Sequence, residues 1–265
     1  MKKSVPLIII PALLALSVFL GGLQAYAQER LSIDFPNGGF ERTTRVTAID
    51  GSVRTVPASC TFYAGFLNAA YGDATCILEA DTTEIRPGSP GKTSVHILHP
   101  AYRFPTSYQT HISQVAVRTQ DLTGLTADVE VWIKCDNWWG NTNHYIQVWV
   151  MPVAADGLPF GSTDATNPLA LFLGPNPDDP TNPVKNRIAT TTEWTLYRLE
   201  GIEIQEPGTR GFWFQVIAWY NNTDNGARTD DVGEVTGDAQ VWIDDLRLVV
   251  PSGSDQVPVE NWMLY

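Results

Sequence analysis

Residues that commonly catalyse reactions or bind phosphate are scarce in this chain. It holds four histidines, and its 17 Lys and Arg residues stand against 29 Asp and Glu residues. It contains no G-x-S-x-G nucleophile elbow and no H-E-x-x-H zinc motif. The histidines are scattered along the sequence and do not indicate a shared metal site. We therefore expect a protein without catalytic activity.

The shortage of positive charge also limits which kinds of molecule the protein is expected to bind. Lys2 and Lys3 precede an apolar run from Leu7 to Leu20, and Ala25-Tyr26-Ala27 fits a cleavage site. This pattern predicts a signal peptide over residues 1–27, with no membrane span after its removal. The remainder has 15 basic and 29 acidic residues, a formal charge of −14. Nucleic acid and anionic membranes require clustered Lys and Arg, so we expect a secreted or cell-surface protein that binds neither.

Cysteine is rare as well. Cys60, Cys76 and Cys135 have no spacing typical of a zinc or redox site. In an exported protein, a bridge between Cys60 and Cys76 would close a short loop and leave Cys135 free. The alternative, in which all three are reduced and buried, fits the sequence equally well.

Helical periodicity is almost absent from the chain. Instead, 21 Gly and 18 Pro separate short segments in which apolar and polar residues alternate. This predicts an all-β protein with one antiparallel β-sandwich of the jelly-roll type over residues 28–250. A short helix can form between Tyr63 and Tyr71, within one of two long connections. The predicted strands are Leu31–Phe35, Ala74–Ala80, Ser94–Leu98, Thr110–Val117, Ala127–Cys135, His144–Met151, Trp194–Leu199, Gly211–Tyr220 and Ala239–Val249.

Aromatic and amide side chains alternate along two of these strands, 127–135 and 144–151, which we expect to form a hairpin. One face of that hairpin then carries rings and amides together, and two tryptophans stand at its tip. Flat rings accept the apolar face of a pyranose, while amides bond to its hydroxyl groups. The candidate glycan-binding residues are Trp132, Trp138, Trp139, Tyr145, Gln147 and Trp149. For Trp132, Trp149 and Trp213, an equally good interpretation is that long connections bury the outer face of the sheet and make these rings part of the core.

The strand 211–220 repeats the pattern with Trp213 and Gln215. Two carboxylates, Asp128 and Glu130, share the face of Trp132. They do not by themselves define the acid pair of a glycosidase.

Two motifs at opposite ends of the chain complement each other. Near the start stands Asn37-Gly38-Gly39-Phe40-Glu41, and near the end stands Val241-Trp242-Ile243-Asp244-Asp245-Leu246-Arg247-Leu248. The second motif alternates as a strand does, so one of Asp244 and Asp245 should face inward. A buried carboxylate needs a cation or hydrogen bonds to compensate its charge. Glu41, brought alongside, would supply a second oxygen ligand for Ca²⁺.

These two motifs resemble the opening and closing strands of galactose-binding-like jelly-roll modules. That group contains many xylan- and glucan-binding carbohydrate-binding modules. Ser113-Gln114-Val115-Ala116-Val117, Val129-Glu130-Val131-Trp132-Ile133-Lys134 and Glu193-Trp194-Thr195-Leu196-Tyr197 resemble strands in between. The resemblance covers residues 31–250. It implies binding of a polysaccharide or glycan, and a structural Ca²⁺ held by the side chains of Glu41 and Asp244; hydrogen bonds from the backbone are the alternative for both carboxylates.

The last residues, 251–265, have an unusual composition for the end of a domain. Pro251-Ser252-Gly253-Ser254 is typical of a linker, and the segment from Val257 to Tyr265 is apolar. Such a tail either folds back on its own domain or adds to an edge strand of another molecule. We expect a secreted glycan-binding protein. The alternative is a structural subunit of an extracellular assembly (a filament, sheath or adhesin) that uses the same fold and self-assembles through the tail.

Overall fold

A computed structural model of the chain describes residues 30–35, 37–63, 77–99, 108–136, 144–162, 166–176, 181, 186–220 and 238–251. Several sequence predictions lie outside the described residues and stay predictions. They concern the signal peptide, the short helix near Tyr71, Cys76, Trp138, Trp139 and the tail after Pro251.

Within the described ranges the secondary structure consists of strands and contains no helix. All nine strands predicted from alternation are present, with ends that differ by a few residues. The predicted all-β antiparallel fold is therefore confirmed. The strands are β1 (Arg30–Asp34), β2 (Thr43–Thr47), β3 (Val53–Pro57), β4 (Thr61–Tyr63), β5 (Ile77–Asp81), β6 (Ser94–His99), β7 (Tyr108–Val117), β8 (Thr126–Asp136), β9 (His144–Val153), β10 (Leu171–Phe172), β11 (Thr195–Glu203), β12 (Gly211–Tyr220) and β13 (Ala239–Pro251).

Most of the strands belong to two antiparallel sheets. The first sheet has six strands, in the order β11-β8-β13-β6-β5, with β1 paired to the end of β13. The second sheet has five strands, in the order β10-β9-β12-β7-β4. The hairpin of β2 and β3 forms a separate two-stranded sheet.

The core lies between the two large sheets. Val129, Val131 and Ile133 of β8 and Ile146 and Val148 of β9 are all 0% exposed and belong to one cluster. Burying each such side chain contributes about 2 kcal/mol relative to its exposure. Because side chains alternate along a strand, the residues between them lie on the two outer faces of the sandwich. Those outer faces hold the candidate functional residues.

The predicted hairpin of strands 127–135 and 144–151 is wrong. β8 pairs with β11 and β13 in the first sheet, whereas β9 pairs with β10 and β12 in the second. Alternation determines which side chains share a face of one strand, but it does not determine which strand lies beside it. Trp132 therefore lies on a different sheet from Tyr145, Gln147 and Trp149.

The β2–β3 hairpin lies in a stretch that the sequence analysis treated as a long connection. Its strands are rich in Thr and Val, and Asp50-Gly51 stands in the turn, with Gly51 at φ 82°. A D-G pair between two β-prone segments is a strong hairpin signal that could have revealed it.

Cys60 and Cys135 are free thiols. Burial raises the pKa of each to about 12, so neither is a reactive thiolate. The reduced alternative therefore holds for both, while Cys76 lies outside the described residues.

Nowhere in the described residues is there a helix with the length and apolar character needed to span a membrane.

Candidate functional site

The outer face of the second sheet combines aromatic rings with amide groups. β9, β12 and β7 lie side by side, so their outward side chains form adjoining rows. One row runs from Phe172 through Trp149 and Gln215 to Ser113, and the next places Met151 beside Trp213 and Val115. The outward residues of this face are Tyr145, Gln147, Trp149, Met151, His111, Ser113, Val115, Trp213, Gln215 and Ile217.

Trp149 is a buried aromatic residue of this outer face. Its ring stacks on that of Phe172, with centroids 5.8 Å apart and planes 11° apart. It packs with Met151 and Ile217, and Trp213 lies against the same cluster. Only 2% of Trp149 is exposed, but it is buried on the outside of the sheet and not between the sheets. The alternative in which residues of a long connection cover this outer face therefore holds for Trp149.

Two indole N–H groups on this face lack a hydrogen-bond acceptor. The Nε1 atoms of Trp149 and Trp213 are both buried, and neither donates to any partner among the described residues. Leaving a buried donor unsatisfied costs about 1–3 kcal/mol. Buried polar groups in proteins nearly always have a partner, so two unpaired donors on one face are unusual.

The amides beside the two tryptophans are held in fixed positions. The Nε2 atom of Gln147 donates to the carbonyl oxygen of Asn186 at 3.2 Å. Gln215 Nε2 lies 2.7 Å from His111 Nδ1. Burial lowers the pKa of His111 to about 4, so this imidazole is neutral at pH 7.

Tyr145 is the remaining titratable group among the outward side chains. Burial raises the pKa of its phenol, while the nearby Arg187 acts in the opposite direction. Tyr145 and His111 are therefore both uncharged at neutral pH. The face offers flat rings, amides and indole donors, which suit a neutral ligand rich in oxygen acceptors.

Trp132 occupies the outer face of the first sheet and is partly exposed. The Arg86 guanidinium lies over its ring, with Cζ 4.8 Å from the ring centroid. On the same strand, Glu130 pairs with Arg198 at 2.6 Å, and Asp128 Oδ1 accepts the Gly201 N–H at 2.9 Å. The predicted single face shared by Trp132, Tyr145, Gln147 and Trp149 is therefore wrong, and the two carboxylates have structural partners.

The other aromatic residues near Trp132 also have partners. Trp242 stacks on His96 with centroids 5.0 Å apart, and its Nε1 donates to Asp81 at 2.9 Å. Trp194 Nε1 donates to Glu84 at 3.1 Å, and Glu84 in turn pairs with Lys134 at 3.0 Å. The indole donors on this outer face of the first sheet are bound to carboxylates, whereas those of Trp149 and Trp213 on the second sheet have no acceptor among the described residues.

Asp244 and Asp245 lie at an irregularity in β13, where its register with β8 shifts between Asp244 and Arg247. Asp245 adopts a φ of 47°, which is unusual for a residue with a side chain. Its carboxylate receives the Arg86 guanidinium, with Nε 2.7 Å from Oδ2. The negative charge of Asp245 is therefore paired with the positive charge of Arg86.

Asp244 has no such partner. It is 0% exposed, and its Oδ1 accepts the backbone N–H of Asp245 at 2.8 Å, whereas its Oδ2 receives no hydrogen bond of acceptable geometry from the described residues. Burial, reinforced by the charge of Asp245, raises the pKa of Asp244 to about 6; the nearby Ser89 hydroxyl and Arg86 act against this. The described residues therefore leave part of the charge of this carboxylate uncompensated.

Glu41 approaches the same region through the segment around Ser89. Its Oε1 accepts the backbone N–H groups of Lys92 and Thr93 at 2.7 and 2.9 Å. A Cβ on Gly91 would lie only 2.3 Å from that oxygen. The Gly91 N–H donates to Ser89 Oγ at 3.1 Å, and Ser89 also neighbours Asp244. The residues 89–91 therefore connect Glu41 to Asp244.

The turn that carries Glu41 is fixed against the irregularity in β13. The Leu246 N–H donates to the Gly38 carbonyl oxygen at 2.9 Å. A Cβ on Gly38 would lie 2.2 Å from the Leu246 carbonyl oxygen, so this close approach requires glycine. Within the described residues no group of three or more His, Cys, Asp or Glu side chains is arranged to hold a metal ion. The pairing of the two motifs in space was nevertheless visible in the sequence.

Sequence reasoning missed three features of these sites. Phe172 stands in a connection with little strand signal, because β10 has only two residues. His111 lies on a predicted strand, but its contact with Gln215 depends on the β7–β12 pairing. Arg86 lies in a loop, and its position over Trp132 has no signature in the sequence.

Comparison with known proteins finds solved structures that are similar to this chain in fold. No protein-family model matches the chain, and no curated protein matches its sequence. Among solved structures, the chain is similar to the CBM22-1 xylan-binding domain of Xyn10C from Paenibacillus barcinonensis. The identity is 8% and the TM-score 0.36, over 84% of this chain and 95% of that one. It is also similar to the C-terminal family 22 carbohydrate binding module of Clostridium thermocellum Xyn10B, with 9% identity and a TM-score of 0.36, over 83% and 98% of the two chains.

A third similar structure is a cyclase from Fischerella sp. TAU. The identity is 13% and the TM-score 0.44, over 86% of this chain and 100% of that one. The β-sandwich carbohydrate-binding modules are the group that the sequence motifs resemble. A fold does not determine a function, so the function has to be argued from the residues of the site.

Proposed function

We propose that this chain is a secreted, non-catalytic protein that binds a polysaccharide or glycan on the outer face of its second sheet. The observation that carries the proposal is the pair of buried indole N–H groups of Trp149 and Trp213, which lack acceptors among the described residues. Sugar hydroxyl and ring oxygens would accept these hydrogen bonds. The rings of Trp213 and Phe172, both partly exposed, would contact the apolar face of a pyranose.

The positions of the carboxylates near the aromatic residues support the proposed absence of catalysis. A glycosidase needs one carboxylate as a proton donor and another as a base or nucleophile. Glu130 and Asp128 lie on the opposite sheet from Trp149 and bind Arg198 and the Gly201 N–H. The outward residues of β7, β9 and β12 that the structure describes include no carboxylate.

The binding proposal is tested by a glycan array on the mature chain, followed by titration calorimetry with the best ligand. Trp213→Phe keeps a flat ring but removes the indole donor. Losing one hydrogen bond of about 1 kcal/mol should weaken binding roughly fivefold. Trp194→Phe removes the same kind of donor from the first sheet and should leave affinity unchanged. Equal affinity of wild type and Trp213→Phe, or absence of any glycan ligand, would contradict the proposal.

We further propose that the region around Asp244 holds a structural Ca²⁺. Asp244 Oδ2 supports this, because it is a buried carboxylate oxygen that receives no hydrogen bond of acceptable geometry from the described residues, and Glu41 lies on the other side of residues 89–91. Asp244 and Glu41 would supply carboxylate oxygens to the ion, which would neutralise the charge that burial leaves uncompensated. Arg86 keeps Asp245 occupied, so the ion's partner is Asp244.

A further inference from the structure

Two residues of the proposed glycan-binding face stand directly opposite each other on neighbouring strands. Trp149 of β9 and Gln215 of β12 are Cα partners in the antiparallel register. The Cβ atoms of directly opposed residues are about 4.5–5.5 Å apart, so the polar ends of two long side chains can contact the same ligand group. Only 2% of Trp149 and 5% of Gln215 is exposed, so a hydrogen bond made there is shielded from bulk water.

The amide of Gln215 has a defined orientation. Its Nε2 lies 2.7 Å from His111 Nδ1. An amide nitrogen only donates hydrogen bonds, so His111 Nδ1 accepts this one. Burial lowers the pKa of His111 to about 4, so the imidazole is neutral at pH 7 and carries its proton on Nε2. His111 therefore binds the amide nitrogen, and Gln215 Oε1 accepts no hydrogen bond from the described residues.

A second pair of histidine and glutamine, on the outer face of the first sheet, has the opposite orientation. His96 Nε2 lies 3.0 Å from Gln240 Oε1. A carbonyl oxygen only accepts hydrogen bonds, so His96 donates in this pair. The histidine of the first sheet binds the carbonyl oxygen of its glutamine, whereas the histidine of the second sheet binds the amide nitrogen. The two pairs therefore differ in the amide atom that the histidine leaves for another partner.

A donor and an acceptor thus stand side by side on the second sheet without bonding to each other. Trp149 Nε1 is buried and has no acceptor among the described residues. Gln215 Oε1, on the opposite strand, has no donor among them. A hydroxyl group has one O–H donor and two lone pairs, so it can satisfy both atoms at once, whereas an ether oxygen can only accept.

We propose that His111 orients the Gln215 amide so that Gln215 Oε1 accepts a hydrogen bond from a ligand hydroxyl, whose oxygen in turn accepts one from Trp149 Nε1. This role depends on the proposed glycan-binding face and defines the group that the face recognises. That group is a free hydroxyl, and a methylated, acylated or glycosidic oxygen does not replace it. Gln215 contacts the ligand, and His111 is a positioning residue.

The proton position on His111 can be measured without any ligand. Long-range proton–nitrogen correlation spectra of the isotope-labelled mature chain at pH 7 should show the proton on Nε2 and an acceptor nitrogen at Nδ1. The loss of these signals in His111→Gln assigns them. A proton on Nδ1 would overturn the proposal, because Nδ1 would then donate to Gln215 Oε1 and leave the amide nitrogen for the ligand.

Calorimetry with defined sugars tests the contact with the hydroxyl. The probes are cellohexaose, mannohexaose and xylohexaose, each with free hydroxyls and in fully O-methylated form. At least one free form should bind, and its O-methylated form should bind at least fivefold more weakly, because an ether oxygen has no proton to donate. Gln215→Met preserves the length of the side chain but removes the acceptor, and it should weaken binding of the free form roughly fivefold. Gln240→Met is the matched control on the first sheet, and its affinity should equal that of wild type.

Two variants of His111 distinguish positioning from a purely structural role. His111→Leu cannot accept from Gln215, so the amide is free to turn, and ordering it on binding should weaken affinity roughly threefold. His111→Gln supplies an acceptor again and should retain most of the wild-type affinity. Circular dichroism checks the fold of each variant, and this pair decides the question if Gln215→Met does not fold. Equal affinity of His111→Leu and His111→Gln would overturn the role of His111.

Failure of the hydroxyl contact and failure of the whole face give different results. If none of the free hexasaccharides binds wild type, the glycan-binding face is contradicted, and the hydroxyl contact with it. If a free form binds wild type and Gln215→Met equally well, the face stands and the assigned contact is overturned. Equal affinity for the free and O-methylated forms would overturn it as well.

Discussion

Asp244→Asn is the sharpest perturbation of the proposed calcium site, because it removes a charge and preserves the shape of the side chain. Asp244 is fully buried, and burial together with the charge of Asp245 raises its pKa from 3.8 to about 6. Between these two values the unfolded chain has released this proton and the folded chain has not. Stability is therefore lost as the pH rises from 3.8 to about 6, and the loss persists at pH 7.

The size of this loss follows from the pKa. A shift from 3.8 to about 6 corresponds to about 2 kcal/mol at pH 7 once solvent screening is allowed for. In a chelating buffer, Asp244→Asn should therefore be more stable than wild type by about 2 kcal/mol. For a chain of this length, that raises the melting temperature by roughly 4–8 °C.

Calcium should reverse this advantage. An ion that binds only the folded state adds about 2.7 kcal/mol when it is present at ~100 times its dissociation constant. Wild type should gain this stability, and Asp244→Asn should gain little because it has lost a charged ligand. The two melting temperatures should therefore converge or change order between chelator and calcium.

Thermal melts of both proteins at pH 7, in chelator and in millimolar calcium, measure these differences. Asp121→Asn is the control, since this aspartate is exposed and binds only the backbone and hydroxyl of Thr123. Its calcium response should match wild type. An identical wild-type melt in chelator and calcium would refute the metal site. A variant less stable than wild type in chelator would show that the protein itself compensates Asp244.

Three further predictions follow from other contacts. Gly91→Ala should reduce the calcium-dependent shift in melting temperature, because a Cβ would displace Glu41 Oε1 from its position 2.3 Å away; an unchanged shift would exclude Glu41 as a ligand. As the pH falls from 6.5 to 4, the folded state should lose up to about 3 kcal/mol of stability through His111. Over this range the unfolded chain protonates His111, whereas burial keeps the imidazole neutral in the folded chain. Urea titrations of wild type and His111→Gln across this range check it, and the variant should lose less stability. Trp149→Phe should weaken glycan binding about fivefold in calorimetry, and equal affinity would show that its N–H does not contact the ligand.

The sequence predicted the strands well because alternation is a local property. β8, β9 and β12 each bury one row of apolar residues, and that row was visible in the sequence. The hairpin of β2 and β3 was overlooked because its strands are polar on one side and short. Its turn residues, Asp50 and Gly51, carried the missing signal.

The candidate sites, too, could be predicted only where the signal is local to one segment of the sequence. The approach of the motif 37–41 to the motif 241–248 could be inferred, because both motifs stand out within their own segments. The proposed glycan-binding face could not be assembled from the sequence, because Trp132 and Trp149 have the same pattern on strands that belong to different sheets. The information that separates them is long-range: β13 lies beside β8, and β12 lies beside β9.

The two sheets have different outer faces because their polar groups are satisfied differently. On the first sheet, Trp194 and Trp242 donate to carboxylates, and Arg86 both pairs with Asp245 and covers Trp132. A ligand there would have to displace ion pairs before gaining contacts. On the second sheet, the indole donors of Trp149 and Trp213 have no acceptor among the described residues to give up. A ligand that supplies oxygen acceptors would have to shift the side chains that cover these donors, but it would break no ion pair, and this difference is the reason for proposing the second sheet as the binding face.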